Sequence, residues 1–170
     1  MPEYRDLTRV VVAIDPAVSA GPNSDETGIV VCGLGVDACG YVLDDLSCRL
    51  SPEAWATRVV NAYYEYQADR VLAEVNNGGD LVQAVLRTVD PRVPYKAIHA
   101  ARGKYLRAEP VSSLYAQGRV FHIRRFPELE EQMCTFVPGS FDRSPDRLDA
   151  LVYALTELMV VPGKRKLHAY

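Results

Sequence analysis

The chain has 170 residues, of which 48% are apolar and 24% charged, with a formal net charge of −3. That length suits one domain with a full core and is too short for two ordinary ones. The charge balance excludes a polycation, so any nucleic-acid binding must come from local basic patches; no apolar run approaches a membrane span, and the polar start MPEYRDLTR is no signal peptide.

Arg9 to Ile14 is a near-continuous, valine-rich run, the pattern of a central strand covered on both faces. A polar loop, AVSAGPNSDET, leads to a second strand from Gly28 to Leu34. Tyr41 to Leu50 alternates as a third, with Asp44 and Asp45 as its weak point, and three strands this close in sequence predict an antiparallel meander. SPEAWATRVVNAYYEYQA then reads as a helix with Ser51 as N-cap, Pro52 at the first helical position, and Trp55, Val59, Ala62, Tyr63 and Tyr66 on one face. Arg70 to Val75 reads as a strand, followed by a glycine turn and a helix from about Asp80 to Val89. Tyr95 to His99 is a further short strand. A helical stretch around Val111 to Gln117 stops at Gly118. Val120 to Ile123 reads as a short strand and Phe126 to Thr135 as a short helix. The longer closing helix runs from Pro145 to about Val161 and ends at Pro162 and Gly163; the tail 162–170, with Lys164, Arg165 and Lys166, reads as a solvated end. The sum is a single α/β domain over residues 1–170, with a mixed sheet of about five strands, a meander and then parallel strands, flanked by helices.

Two carboxylates break this pattern. Asp15 ends the run VVVAID and Glu74 ends VLAE, although buried acids are normally paired, protonated or bound to a metal. Binding sites in open α/β sheets gather at strand ends, so the two could face each other. In SPDRLDALVYALTELM, Leu148, Leu151, Val152, Leu155, Leu158 and Met159 mark the buried face, Asp149 lies on its flank, and Asp146 lies on roughly the same side. Each acid also has an ordinary reading. Asp146 is placed to stabilise a helix N-terminus, Asp149 could be an exposed acid beside the core, and Asp15 before Pro16 could begin a turn. Glu74 is harder to account for, because NNGG already supplies its turn. Together they form an oxygen-donor set for divalent cations, and two Mg²⁺ ions about 3.5–4 Å apart suit phosphodiester hydrolysis. No competing chemistry stands out. His99, His122 and His168 have no nucleophile partner, Cys32, Cys39, Cys48 and Cys134 have no zinc-ligand spacing and read as reduced thiols in a cytosolic protein, and no GxxxxGK[ST] occurs.

In order, VVVAIDPAVSAGPNSDETGIVVCGL, AEVNNGGDLV, HAARGKYLRAEPVSSLYAQGRVFH and SPDRLDALVYALTEL resemble the C-terminal nuclease domain of tailed-bacteriophage terminase large subunits, over about residues 9 to 161. The resemblance implies an RNase H-like fold and a metal-dependent DNA endonuclease that cuts concatemeric viral DNA during genome packaging. It implies catalytic, metal-holding roles for Asp15, Glu74 and Asp149, with Asp146 at a metal-adjacent position, and a two-metal site for Mg²⁺ or Mn²⁺. The implied partners are double-stranded DNA, the packaging ATPase domain (expected to be absent from this chain), the terminase small subunit and the portal. The implied location is the cytoplasm of a bacterial host, with no membrane partner. For phosphate contacts the chain offers Arg102, Lys104 and Arg107, then Arg119, Arg124 and Arg125. No base-reading motif occurs, so weak sequence preference is expected. Two alternatives stay open: another RNase H-like nuclease such as a Holliday-junction resolvase, and a DNA-binding assembly module whose acids are structural.

Overall fold

The valine-rich first run becomes β1 (Leu7–Asp15), an inner strand of a six-stranded sheet. The computed structural model describes residues 6–17, 26–74, 79–99, 104–136 and 145–161, without the side chains of 104–107. β2 (Gly28–Gly35) and β3 (Gly40–Asp45) follow, then α1 (Pro52–Glu65), β4 (Arg70–Glu74), α2 (Gly79–Val89) and β5 (Tyr95–Ile98). The rest is α3 (Lys104–Ala116), β6 (Val120–His122), α4 (Pro127–Thr135) and α5 (Asp146–Leu155), which runs on into a π-helical turn, Thr156–Val160. The sheet order is β5-β4-β1-β2-β3-β6. β1, β2 and β3 form the expected antiparallel meander, while β4 lies parallel to β1, β5 to β4 and β6 to β3.

Three expectations need adjusting. The short strand at 120–122 does join the sheet, giving six strands. The third strand ends at Asp45, not Leu50, because Asp45 turns the chain: its Oδ1 accepts from the backbone N–H and hydroxyl of Ser47. α3 begins at Lys104, well before Val111, and carries Pro110 inside it, where a proline more often marks a helix boundary.

Pleating divides β1 between two cores. Val10, Val12 and Ile14 pack with Ile29, Val31, Val71 and Ala73 against Trp55 and Val59 of α1 and Val82 and Leu86 of α2. Val11 and Ala13 pack with Val30, Cys32, Val42 and Leu72 against Val111 and Leu114 of α3, Leu129 of α4, and Leu148, Leu151 and Leu155 of α5. A valine or leucine fully removed from water contributes about 1.5–3 kcal/mol, so these two layers hold the sheet rigid. The far end of α5 is tied down by Glu157, whose carboxylate accepts from Lys96 Nζ at 2.8 and 3.0 Å and from Arg9 Nη2 at 3.4 Å. All four cysteines are free thiols. Among the described residues no helix is long and apolar enough to cross a membrane.

The first turn of α5 rests directly on β2. A Cβ placed on Gly28 would lie 2.0 Å from the carbonyl oxygen of Asp146, a distance no side chain can occupy. Gly28→Ala is therefore expected to lower stability by at least about 2 kcal/mol in urea unfolding, because the helix must lift to make room. Unchanged stability would mean that α5 does not sit there.

Candidate metal centre

The pleat that builds the core also aims the acids. Asp15 has the parity of Val11 and Ala13, and Glu74 that of Leu72, so both side chains point to the α5 face. The β1–β4 register runs to Ile14↔Ala73, which sets Asp15 and Glu74 side by side at the next step. On its other flank Asp15 pairs with Gly28, the residue whose missing side chain admits α5. That close seat brings the first turn of the helix down onto Asp15. One carboxylate oxygen from each of Asp15, Asp146 and Asp149 lies within 4.8 Å of the other two. All three are buried; Asp15 is 0% exposed.

Glu74, also buried, stands beside this group and is held by Tyr153, whose hydroxyl donates to Glu74 Oε2 at 2.6 Å. Burial first, then the Asp15 carboxylate, the bond to Glu74 and the Asp149 carboxylate push the Tyr153 phenol well above its usual range. It therefore stays protonated and remains a donor. Of the sequence-identified acids, Asp15 and Asp149 converge as expected. Asp146, which could have been a simple helix-terminus acid, is the third member of the group; Glu74 is not one of the three and lies next to Asp15 by strand register, hydrogen-bonded to Tyr153.

Charge decides what such a cluster needs. At an effective dielectric constant near 20, two unit charges 4.8 Å apart repel by about 3 kcal/mol, and three carboxylates make three such pairs. The N-terminus of α5 offsets only about 0.3–1 kcal/mol per acid. Arg147, between the two helix acids in sequence, gives its guanidinium elsewhere, to Glu26 and Asp45. A bound cation would offset such repulsion directly. Hard carboxylate oxygens with no sulfur or imidazole in the group fit Mg²⁺ or Mn²⁺ rather than a soft metal.

The basic residues are less gathered. Arg102 lies outside the described residues. Lys104 and Arg107 fall on the first turns of α3, with side chains outside the description. Arg119 sits at the opposite end of the sheet, where Gly40 pairs with Val120, and donates to the Ala38 carbonyl at 3.2 Å. Arg124 forms an ion pair with Asp44 and lies over the Phe126 ring, 4.9 Å from its centroid. Arg125 is exposed.

Three residues of this region escaped the sequence reading: Tyr153, Arg147 and Gln132. Only Tyr153 left a signal, since it follows Asp149 by one helical turn and must share its side of α5.

A mixed sheet with an antiparallel meander on one side of its first strand and parallel strands on the other, acids at the central strand ends, and a late helix carrying further acids onto them define an RNase H-like α/β protein. Within that class, the chain belongs to the terminase RNaseH-like domain family, whose model matches residues 12–158. Among solved structures it is similar to the large terminase nuclease from thermophilic phage G20c with bound zinc, at 14% identity and a TM-score of 0.64, covering 87% of this chain and 81% of that one. It is similar to the large terminase of bacteriophage HK97 at 12% identity and a TM-score of 0.64, covering 88% of this chain but only 39% of that one. The yeast mitochondrial Holliday junction resolvase Ydc2 shares the fold at 10% identity and a TM-score of 0.58, covering 90% of this chain and 79% of that one. No curated protein sequence matches the chain.

Replacing Tyr153 by Phe takes the donor from a buried carboxylate, and is expected to lower metal-free stability by about 2 kcal/mol in denaturant unfolding. A loss near zero would show that Glu74 does not depend on that hydroxyl.

Proposed function

We propose that the chain is a metal-dependent endodeoxyribonuclease of the terminase type, cutting concatemeric viral DNA during genome packaging in the cytoplasm of a bacterial host. The observation that carries this reading is the convergence of three buried carboxylates from β1 and α5, with Glu74 of β4 beside them. Asp15, Asp146, Asp149 and Glu74 would hold Mg²⁺ or Mn²⁺, with Asp15, Glu74 and Asp149 as the catalytic acids. Bound divalent ions would supply Lewis-acid polarisation of a phosphodiester and a lowered pKa for attacking water.

The chain's own residues supply position. Asp15 is fixed by the hydrogen-bonded strands on both its flanks, and the protonated Tyr153 holds Glu74 toward the group from within the core. Duplex DNA would cross the strand ends, its phosphates met by Arg102, Lys104, Arg107 and Arg125, with Arg124 available once released from Asp44. Arg119, at the other end of the sheet, is left out of that path. The chain spans about two-fifths of the HK97 large terminase, so a packaging ATPase domain, small subunit and portal enter as proposed partners. A junction-resolving nuclease is the second reading, supported by the fold shared with Ydc2. Preference for four-way junctions over linear duplex would favour it.

Supercoiled plasmid incubated with Mg²⁺, Mn²⁺ or EDTA is the direct test. Nicking or linearisation is expected with metal, absent with EDTA, and reduced at least about a hundredfold in Asp15→Asn, Glu74→Gln and Asp149→Asn. Full activity in any one of them removes that residue from the centre. In EDTA, Asp146→Asn or Asp149→Asn is expected to raise the melting temperature by relieving repulsion. Saturating Mn²⁺, worth about 2.7 kcal/mol at a hundred times its Kd, should stabilise the parent and not these variants. For DNA binding, Lys104→Ala should flatten the plot of log affinity against log salt by about one; an unaltered slope removes Lys104 from the phosphate path.

A further inference from the structure

Two of the three converging acids come from one helical turn, and that turn is held in an unusual way. Most helices begin with a side-chain acceptor on their own N-cap residue. α5 begins after Pro145, which offers none. The acceptor comes instead from another helix: Oε1 of Gln132, on α4, accepts from the backbone N–H groups of Arg147 and Leu148, both at 3.1 Å. The Arg147 side chain pins the same turn as well. Its Nε and Nη2 donate to the two oxygens of Glu26 at 3.0 and 2.8 Å, and its Nη1 donates to Asp45 Oδ2 at 2.7 Å. This fork is largely buried, with the Arg147 side chain 13% and the Asp45 side chain 3% exposed. Its partners belong to the segment entering β2 and to the end of β3, so it ties α5 to the sheet beside the seat at Gly28.

The Gln132 cap and the Arg147 fork both hold the first turn of α5, the turn that carries Asp146 and Asp149, in place beside β1 and β2. We propose that Gln132 and Arg147 are positioning residues for the metal centre, setting the approach of Asp146 and Asp149 to Asp15 and with it the affinity for a divalent cation. The inference rests on reading the three acids as a metal site. It assigns to α4, which carries none of those acids, control over how well the centre is formed.

The test is calorimetric titration of Mn²⁺ into the whole chain, paired with thermal unfolding in EDTA. Gln132→Leu is expected to weaken Mn²⁺ binding roughly tenfold, the usual effect of removing an outer support from a metal site. Gln132→Glu keeps an acceptor at that place and is expected to bind like the parent. Arg147→Met is expected to weaken binding at least as much as Gln132→Leu; should it fail to fold, the two Gln132 variants still decide the matter. Tyr64→Phe, which loses a hydrogen bond to Asp90 on the far side of the sheet, controls for general destabilisation and should keep parental affinity. Parental affinity in Gln132→Leu overturns the proposal, and so does a loss that Tyr64→Phe reproduces at equal melting temperature. A parent chain that binds no Mn²⁺ overturns the metal reading itself and this inference with it, an outcome separated from the others because it needs no variant.

Discussion

The constraint on which this structure turns is the crowding of like charges at the boundary of a dry core. Asp15, Asp146 and Asp149 place carboxylate oxygens within 4.8 Å of one another, and none of the three is open to solvent. Hydrophobic burial alone would not choose that arrangement, since two ionised carboxylates at that separation repel by about 3 kcal/mol at an effective dielectric constant near 20. It persists because stronger features fix where each acid must be. The two apolar layers fix β1, the absent side chain of Gly28 fixes the height of α5, and the contacts of Glu157 with Lys96 and Arg9 fix the far end of that helix. Packing elsewhere in the fold thus assembles three buried carboxylates at the strand ends, the group we propose holds a cation.

Much of this was legible in the chain before any coordinates. The valine-rich run ending in Asp15 and the VLAE run ending in Glu74 announced buried acids, because nothing in core packing asks for a carboxylate there. Which face each acid takes was not readable, because both strands are apolar on both sides; only the shared layer of Val11 and Leu72 puts the two acids together. Asp149 and Asp146 were visible on the flank of a helix whose apolar face was clear. What was hidden depended on packing between elements far apart in sequence. Gln132 caps a helix other than its own, and Arg147 meets Glu26 from more than a hundred positions away. Neither leaves a periodic trace, and nothing in DRLD marks the Arg147 side chain as one that the fold buries.

The basic residues give the complementary lesson. Charge counted along the chain suggested two patches for phosphate, yet Arg119 lies at the end of the sheet away from the acids and Arg124 is engaged by Asp44. Sequence shows that a cation is present; only the fold shows which end of a strand it leaves from and which acid reaches it first. The family match supplies fold and kinship, and the buried acids, which lie within the matched residues, supply the chemical argument for the nuclease reading.

The alternation of β1 has a bearing on how chains of this kind can vary over time. Within the strand, one apolar residue can replace another with small cost, because both layers accept similar volumes. Length is different. Insertion or deletion of a single residue between the start of β1 and Asp15 would carry the acid to the α1 face, into the layer of Trp55 and Val59. A change of two would restore the face but move the acid by about 7 Å along the sheet, away from the turn that descends over Gly28. Descendants of this sequence can therefore drift widely in composition along β1 while being held to a fixed ruler, and length variation should gather in the loops beyond the strand ends.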